Sequence, residues 1–183
     1  YPLPSTSNEP ADLAVVEAEI TLSGGRIPAG KSLVVSNVNF DLVAPEGVDP
    51  SLPAQPYRLQ GSITGNLAKK VEIKGSYDPA AHALEADVQV VGLAMSSPWV
   101  RSLLGSYSEL NDAVDFSGDL DFDLHLARGG GSAPLTWNAD YRLSGGRVAM
   151  EGLPRQLTDL AISGSASQNQ WVVRSAQGRY GKA

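Results

Sequence analysis

Apolar and polar residues alternate with a period of two along most of this chain. Successive side chains of a β-strand point to opposite faces, so this pattern predicts strands with one apolar and one polar face. About ten such strands are expected. The clearest lie near Leu13–Leu22, Val34–Val43, Tyr57–Leu67, Val71–Tyr77, Leu84–Val90, Val114–Leu126, Leu135–Ser144, Leu157–Ala166 and Trp171–Gly178.

The strand near Val114–Leu126 has the most regular alternation. Its apolar positions include Phe116, Leu120, Phe122 and Leu124, and its polar positions include Asp119, Asp121 and Asp123. A shift of one residue would bury the carboxylates, so the apolar set is expected to face an interior and the aspartates to face water. In the first strand, the same reasoning places Ala14, Val16, Ala18, Ile20 and Leu22 on the apolar face.

One segment has helical spacing instead. In SSPWVRSLLGSYSELND the apolar residues recur every three or four positions, Ser97 is a candidate N-cap, and Pro98 suits the first helical turn. An amphipathic helix is therefore predicted near Pro98–Glu109.

Two short sequences recur along the chain. LSGGRI at Leu22–Ile27 returns as LSGGRV at Leu143–Val148, and SNVNF at Ser36–Phe40 has the pattern of TDLAI at Thr158–Ile162. Each copy is interpreted as a strand, a Gly-Gly turn and a further strand. The expected organisation is a linker over residues 1–12 and a β segment over 13–183. Its two copies span about 13–92 and 114–183, the second truncated, with the helix near 98–110 between them.

Composition and charge exclude several classes of function. The 20 acidic and 14 basic residues give a net charge of −6, the wrong sign for a surface that neutralises phosphates, so nucleic acid is not expected as a partner. The chain has no Cys and two His, so no thiol chemistry or cysteine metal site is expected. No cofactor and no enzymatic activity are predicted.

Two motifs suggest ligands and are interpreted otherwise. GRIPAGKS at Gly25–Ser32 has the P-loop pattern, but the alternating residues after it predict a strand where a P-loop needs a helix, so no nucleotide is expected at Lys31. Asp119, Asp121 and Asp123 lack the Gly and Glu of an EF-hand, and Leu124 and Gly130 stand there instead. A solvated face is predicted and not a metal site.

One predicted helix cannot cover all of these apolar strand faces. The sheet could close as a sandwich or barrel, or it could curl into a trough that holds a ligand. Small residues at inward positions, such as Gly61, Gly75 and Ala86, would leave room inside.

The order of these features resembles the AsmA-like family of bacterial envelope proteins. The resemblance rests on the LSGGR turns, the TDLAI-type strand opening, the helix and the SGDLDFDLHL strand, and it covers most of Leu13–Tyr180. It implies a mainly β fold, in which a curved antiparallel sheet forms an open U-shaped trough, a repeating β-groove, with one amphipathic α-helix. It also implies a periplasmic segment of a protein anchored in the inner membrane by an N-terminal helix that this sequence lacks.

The function implied by the resemblance is to guide phospholipid, or another acyl-chain lipid, between the inner and outer membranes and to support outer-membrane biogenesis. The alternative is a closed β-sandwich that serves as a structural or adhesive module of a cell-surface protein. The residues expected to line the groove are Val38, Phe40, Leu59, Ile63, Val71, Ile73, Val88, Val90, Phe116, Leu120, Phe122, Leu124, Trp137, Tyr141, Leu160, Ile162, Trp171 and Val173.

Overall fold

The computed structural model describes residues 12–22, 33–45, 55–65, 68–95, 114–150 and 155–181. These residues form one open antiparallel sheet of nine strands, in which each strand pairs with its neighbours in sequence. The strands are β1 (Leu13–Leu22), β2 (Leu33–Val43), β3 (Tyr57–Ile63), β4 (Lys70–Asp78), β5 (Ala83–Ala94), β6 (Val114–Arg128), β7 (Leu135–Met150), β8 (Leu157–Ser167) and β9 (Trp171–Tyr180). The prediction of a mainly β, antiparallel fold is confirmed. The predicted helix near Pro98–Glu109 and the GRIPAGKS turn lie outside the described residues.

The register brings the apolar positions of neighbouring strands side by side. One row runs from Val38 through Ile63, Val71, Val90 and Phe122 across five strands. Cross-strand partners point to the same side of a sheet, so such rows define one surface, which we call the apolar face. The opposite surface, which carries Glu72, Asp87 and Asp123, is called the polar face.

The best buried part of the sheet lies on the apolar face at its centre. Ala68, Val90 and Leu93 form a buried cluster there, and Val71, Val88, Met95, Leu120 and Phe122 pack against it. Each of the larger side chains contributes about 1.5 to 3 kcal/mol when it is fully withdrawn from water. The cluster is therefore one source of apolar stabilisation, and Val38, Ala86, Leu143 and Ala166 are buried outside it.

Five strand residues adopt left-handed backbone angles, with φ between 49° and 64°. They lie where the pairing register shifts, so they are β-bulges. A bulge adds a residue to one strand, bends it and increases its twist. The bulge residues are Glu17, Asn37, Gly92, Gly145 and Asp159.

The bulge at Glu17 changes which residues of β1 face the apolar side. Val15 pairs with Phe40 and Ala14 pairs with Asp41, so Ala14 lies in a polar row. Val16 is 71% exposed. The prediction that Ala14 and Val16 lie on the apolar face was wrong, because uninterrupted alternation was assumed through a position where the chain inserts one residue.

The LSGGRV segment is a bulge and not a turn. β7 continues through it to Met150, with Gly145 at φ 60°. A Gly-Gly pair serves either structure, since both need a positive φ that glycine adopts without strain.

The paired motifs SNVNF and TDLAI agree more closely than their residues suggest, because Asn37 and Asp159, the second residue of each, both form bulges.

Candidate functional site

The apolar face is the candidate functional surface. The pairing register shows where the residues predicted to line a groove lie on it. All 18 residues expected to line a groove lie in rows of this face. Five of them, Val71, Val88, Val90, Leu120 and Phe122, meet at the central cluster. The others follow the same rows outward toward β2 and β9.

The apolar rows reach both edges of the sheet and are exposed there. On β9, Trp171 is 74% exposed and Val173 is 61% exposed; on β1, Leu13 is 54% exposed. Val173 lies in the row of Val90 and Phe122, and Leu13 pairs with Leu42. The apolar face is thus continuous from one edge strand to the other.

Tyr141 ties the edge strand β9 to β7 across β8. It pairs with Gly164 of β8, and its hydroxyl donates to the backbone carbonyl of Val172, 3.3 Å away. A side chain at Gly164 would collide with the Tyr141 ring and the Val172 carbonyl. The Tyr141 ring also lies 6.0 Å from that of Trp171, tilted by 51°. Glycine is therefore needed at position 164 for the tyrosine to lie across β8.

Two parts of this surface were not anticipated from the sequence. Ala68 and Leu93 belong to the buried cluster, yet the first precedes β4 and the second follows the bulge at Gly92, so neither fits an unbroken alternation. Arg128 pairs with Leu84 and Leu135, in an apolar row. The alternation of β6 could have revealed it, since Arg128 follows Leu126 by two residues.

On the polar face, the three aspartates of β6 each have a separate partner. Asp119 forms an ion pair with Lys69 at 3.0 Å, and the Asp121 carboxylate accepts a hydrogen bond of 2.7 Å from the backbone N–H of Gly92. The side-chain amide of Gln89 donates to Asp123 at 3.0 Å. Within the described residues, no group of three acidic or histidine side chains has the arrangement of a metal site.

Further side-chain pairs lie on the polar face, two of them between strands and one within β4. The Nδ1 atom of His125 lies 2.8 Å from an Asp87 oxygen, and Arg174 pairs with Asp140 at 2.8 Å. The Lys70 ammonium lies 2.8 Å from the Glu72 carboxylate, and the hydrogen bond it donates lowers the pKa of Glu72. These groups are substantially exposed, so each pair contributes little to stability.

Two shallow depressions lie over the strands that carry these pairs. One has a volume of about 440 Å³ and is bordered by Asp121, Asp140, Arg142 and Arg174, among others. The second has a volume of about 380 Å³ and lies beside Lys74 and His125. Both are open to solvent and have charged linings, which does not suit an acyl chain.

Comparisons with protein-family models, with curated proteins and with solved structures found no match to this chain. Within the described ranges, no helix has the length and hydropathy that a membrane span requires.

Proposed function

We propose that this chain is a non-enzymatic, lipid-guiding segment of a bacterial envelope protein of the AsmA-like kind. In this proposal the sheet curls into a U-shaped trough, and the helix near Pro98–Glu109 packs on its apolar face. The segment belongs to a protein anchored in the inner membrane, lies in the periplasm, and passes phospholipid toward the outer membrane. It thereby supports outer-membrane biogenesis.

The observation that carries the proposal is the continuity of the apolar face from edge to edge. Nine strands about 4.8 Å apart give this face a length of about 38 Å across the sheet. Its rows end in exposed apolar side chains at Leu13, Trp171 and Val173. A surface that only sealed a core would be expected to end in polar residues at its edges.

The energetics suit a carrier that needs no reaction. Holding a palmitoyl-length chain in water costs about 12 kcal/mol, at about 0.8 kcal/mol per methylene. An apolar surface that follows the whole path lowers this barrier by contact alone. The lining then acts through its total area, which explains why the candidate residues share apolar character and no reactive group.

The bulges support a coiled sheet. Glu17, Asn37, Gly92, Gly145 and Asp159 each bend a strand, and they are distributed over five of the nine strands. The close approach of β4 to β5 at Gly75, where an added side chain would meet the Glu85 carbonyl, also fits a tightly curved backbone. The alternative, a closed β-sandwich, needs a second sheet from outside the described residues, all of whose strands belong to one sheet.

A matched pair of edge substitutions tests the proposal without disturbing the buried centre. Val173→Glu places a charge on the apolar face of β9, and Val16→Glu places the same charge on an exposed valine of β1 outside the apolar rows. We expect Val173→Glu to reduce photo-crosslinking of a diazirine phospholipid at least about tenfold, because a carboxylate there must be desolvated by the acyl chain. Val16→Glu should crosslink as the wild type does.

A central substitution gives a second measurement. Phe122→Glu should abolish crosslinking and impair envelope integrity in the full-length protein, whereas Asp121→Asn, which keeps an acceptor for the Gly92 N–H, should be nearly silent. The comparison requires a cooperative melt from both variants. Normal lipid capture by folded Val173→Glu and Phe122→Glu proteins, or a wild type that captures no lipid, would exclude the trough and favour the sandwich.

A further inference from the structure

Among the strand residues that the structure describes, Arg128 is the one charged residue in the apolar rows. Within the described strands, the register places every other charged residue on the polar face or at a register shift. The Arg128 side chain is exposed, so its aliphatic part can border apolar neighbours while its guanidinium stays in water. An anion beside this row would meet the guanidinium directly.

Arg128 belongs to a row that differs from the rest of the apolar face. We call it the rim row, because it lies near the strand ends that lead into the β4–β5 and β6–β7 turns. Its members are Tyr57, Tyr77, Leu84, Arg128 and Leu135. The next row inward is wholly apolar and contains Leu42, Leu59, Gly75, Ala86, Leu126 and Trp137.

The composition of the rim row matches that of a boundary between apolar material and water. Tyrosine and arginine each have an apolar body and a polar end, and both are favoured where one end of the side chain is wet. Tyr57 and Tyr77 are half-buried, and Arg128 is exposed. The row thus has two partly exposed tyrosines and an exposed arginine, and the wholly apolar row lies next to it.

The guanidinium of Arg128 is available to a ligand. One of its terminal nitrogens donates a long hydrogen bond of 3.4 Å to the carbonyl of Gly131, and no carboxylate among the described residues pairs with it. Arginine presents a planar fork of donors that suits the oxygens of a phosphate or carboxylate. Leu84 alone separates it from Tyr77 in the row, so both side chains border the same stretch of about 10 Å.

We propose that the rim row binds the anionic head group of a phospholipid whose acyl chain lies on the apolar face, with Arg128 as the cationic contact. This inference rests on the proposed function and adds to it an orientation and a preference. The head group lies at the strand ends beside Arg128, and the chain extends inward over Leu126 and Trp137. An anionic lipid is preferred over a neutral one with the same chain.

The test compares two soluble probes that differ only in the head group. Lysophosphatidylglycerol and a monoacylglycerol of the same acyl chain are titrated calorimetrically, each below its critical micelle concentration, into the wild type, Arg128→Gln and Arg142→Gln. Arg142 is the matched control, because it lies in a strand on the polar face beside Asp121 and Ser163. We expect Arg128→Gln to lose about fivefold in affinity for the lysophospholipid, with no change for the monoacylglycerol. Arg142→Gln should bind both probes as the wild type does.

The outcomes separate this inference from the proposed function. If the wild type binds neither probe, the lipid-guiding proposal fails and this inference fails with it. If both probes bind and Arg128→Gln binds the lysophospholipid as tightly as the wild type, only the head-group site is overturned. Glycerol phosphate that bound as tightly as the lysophospholipid would also overturn it, because the acyl chain would then have no role. A circular dichroism melt unchanged in Arg128→Gln excludes unfolding as the cause of a loss.

Discussion

The centre and the β9 edge of the sheet carry the same kind of apolar row but differ in what covers it. Val90 and Val173 lie in one row, yet Val90 is buried within a cluster of side chains and Val173 is exposed. Both valines lie next to a register shift, so the local strand pattern is similar at the two places. Position in the sheet, and not residue type, therefore decides whether an apolar side chain stabilises the fold or remains accessible to a ligand.

The largest expected difference between the two regions is in the cost of removing a side chain. Leu93→Ala should lower the free energy of unfolding by about 3 kcal/mol, because it leaves a cavity in the central cluster. Val173→Ala should lower it by less than about 0.5 kcal/mol, since that side chain is exposed. Urea unfolding followed by tryptophan fluorescence measures both, and equal costs would mean that the edge is covered in solution.

A second prediction concerns how closely the edge strand is held. Gly164→Ala should cost about 2 kcal/mol, because the added Cβ meets the Tyr141 side chain and the Val172 carbonyl, and one strand must shift. Gly129→Ala is the control, since its Cβ would lie 3.5 Å from that of Ala133, an ordinary contact. Thermal melts compare the two, and a silent Gly164→Ala would contradict a close approach of β8 and β9.

A smaller and more local effect is expected from Tyr141→Phe. The change removes the hydrogen bond to Val172 and keeps the ring beside Trp171, so the loss should be about 0.5 to 1 kcal/mol. Amide hydrogen exchange should accelerate in β9 and remain unchanged in β4 and β5. Uniform acceleration across the sheet would show that β9 does not open independently.

The smallest effect belongs to the polar face near the centre. The hydrogen bond from Lys70 holds the pKa of Glu72 below its unfolded value, so this pair favours the folded state above that value. The contribution disappears as the pH falls through the folded pKa, when the carboxylate becomes protonated. In Glu72→Gln, the loss of stability on acidification should be slightly shallower than in the wild type, and a steeper loss would reverse the sign of the coupling.

Period-two alternation was sufficient to predict most of the strands, including both ends of β1. A strand with one solvent-exposed face and one covered face needs polar and apolar residues at alternate positions, and this pattern can be read directly from the sequence. It failed where the chain inserts a residue. Glu17 is not a residue type that favours a left-handed backbone angle, whereas Asn37 and Asp159 are of types that tolerate it. The third strand ends at Ile63, before the predicted Leu67, which lies outside the described residues.

The sequence was sufficient to predict which residues lie in the apolar rows, but not which of these residues are buried. Nothing in the residue types distinguishes Val90 from Val173, because burial depends on which strands and loops lie over them. Arg128 was overlooked because charged residues near strand ends are common. Its significance comes from its partners Leu84 and Leu135, which only the pairing register identifies.

The meander order of the sheet also affects how the protein folds. Every strand pairs with the strand before or after it in sequence, so each new pairing closes only the connection between them. Such an order keeps the sequence separation between partners short, which favours fast folding for a β protein. On the ribosome, the sheet can grow strand by strand from β1. The connections over residues 44–56 and 95–113 are the two places where growth must wait for a longer stretch of chain to emerge.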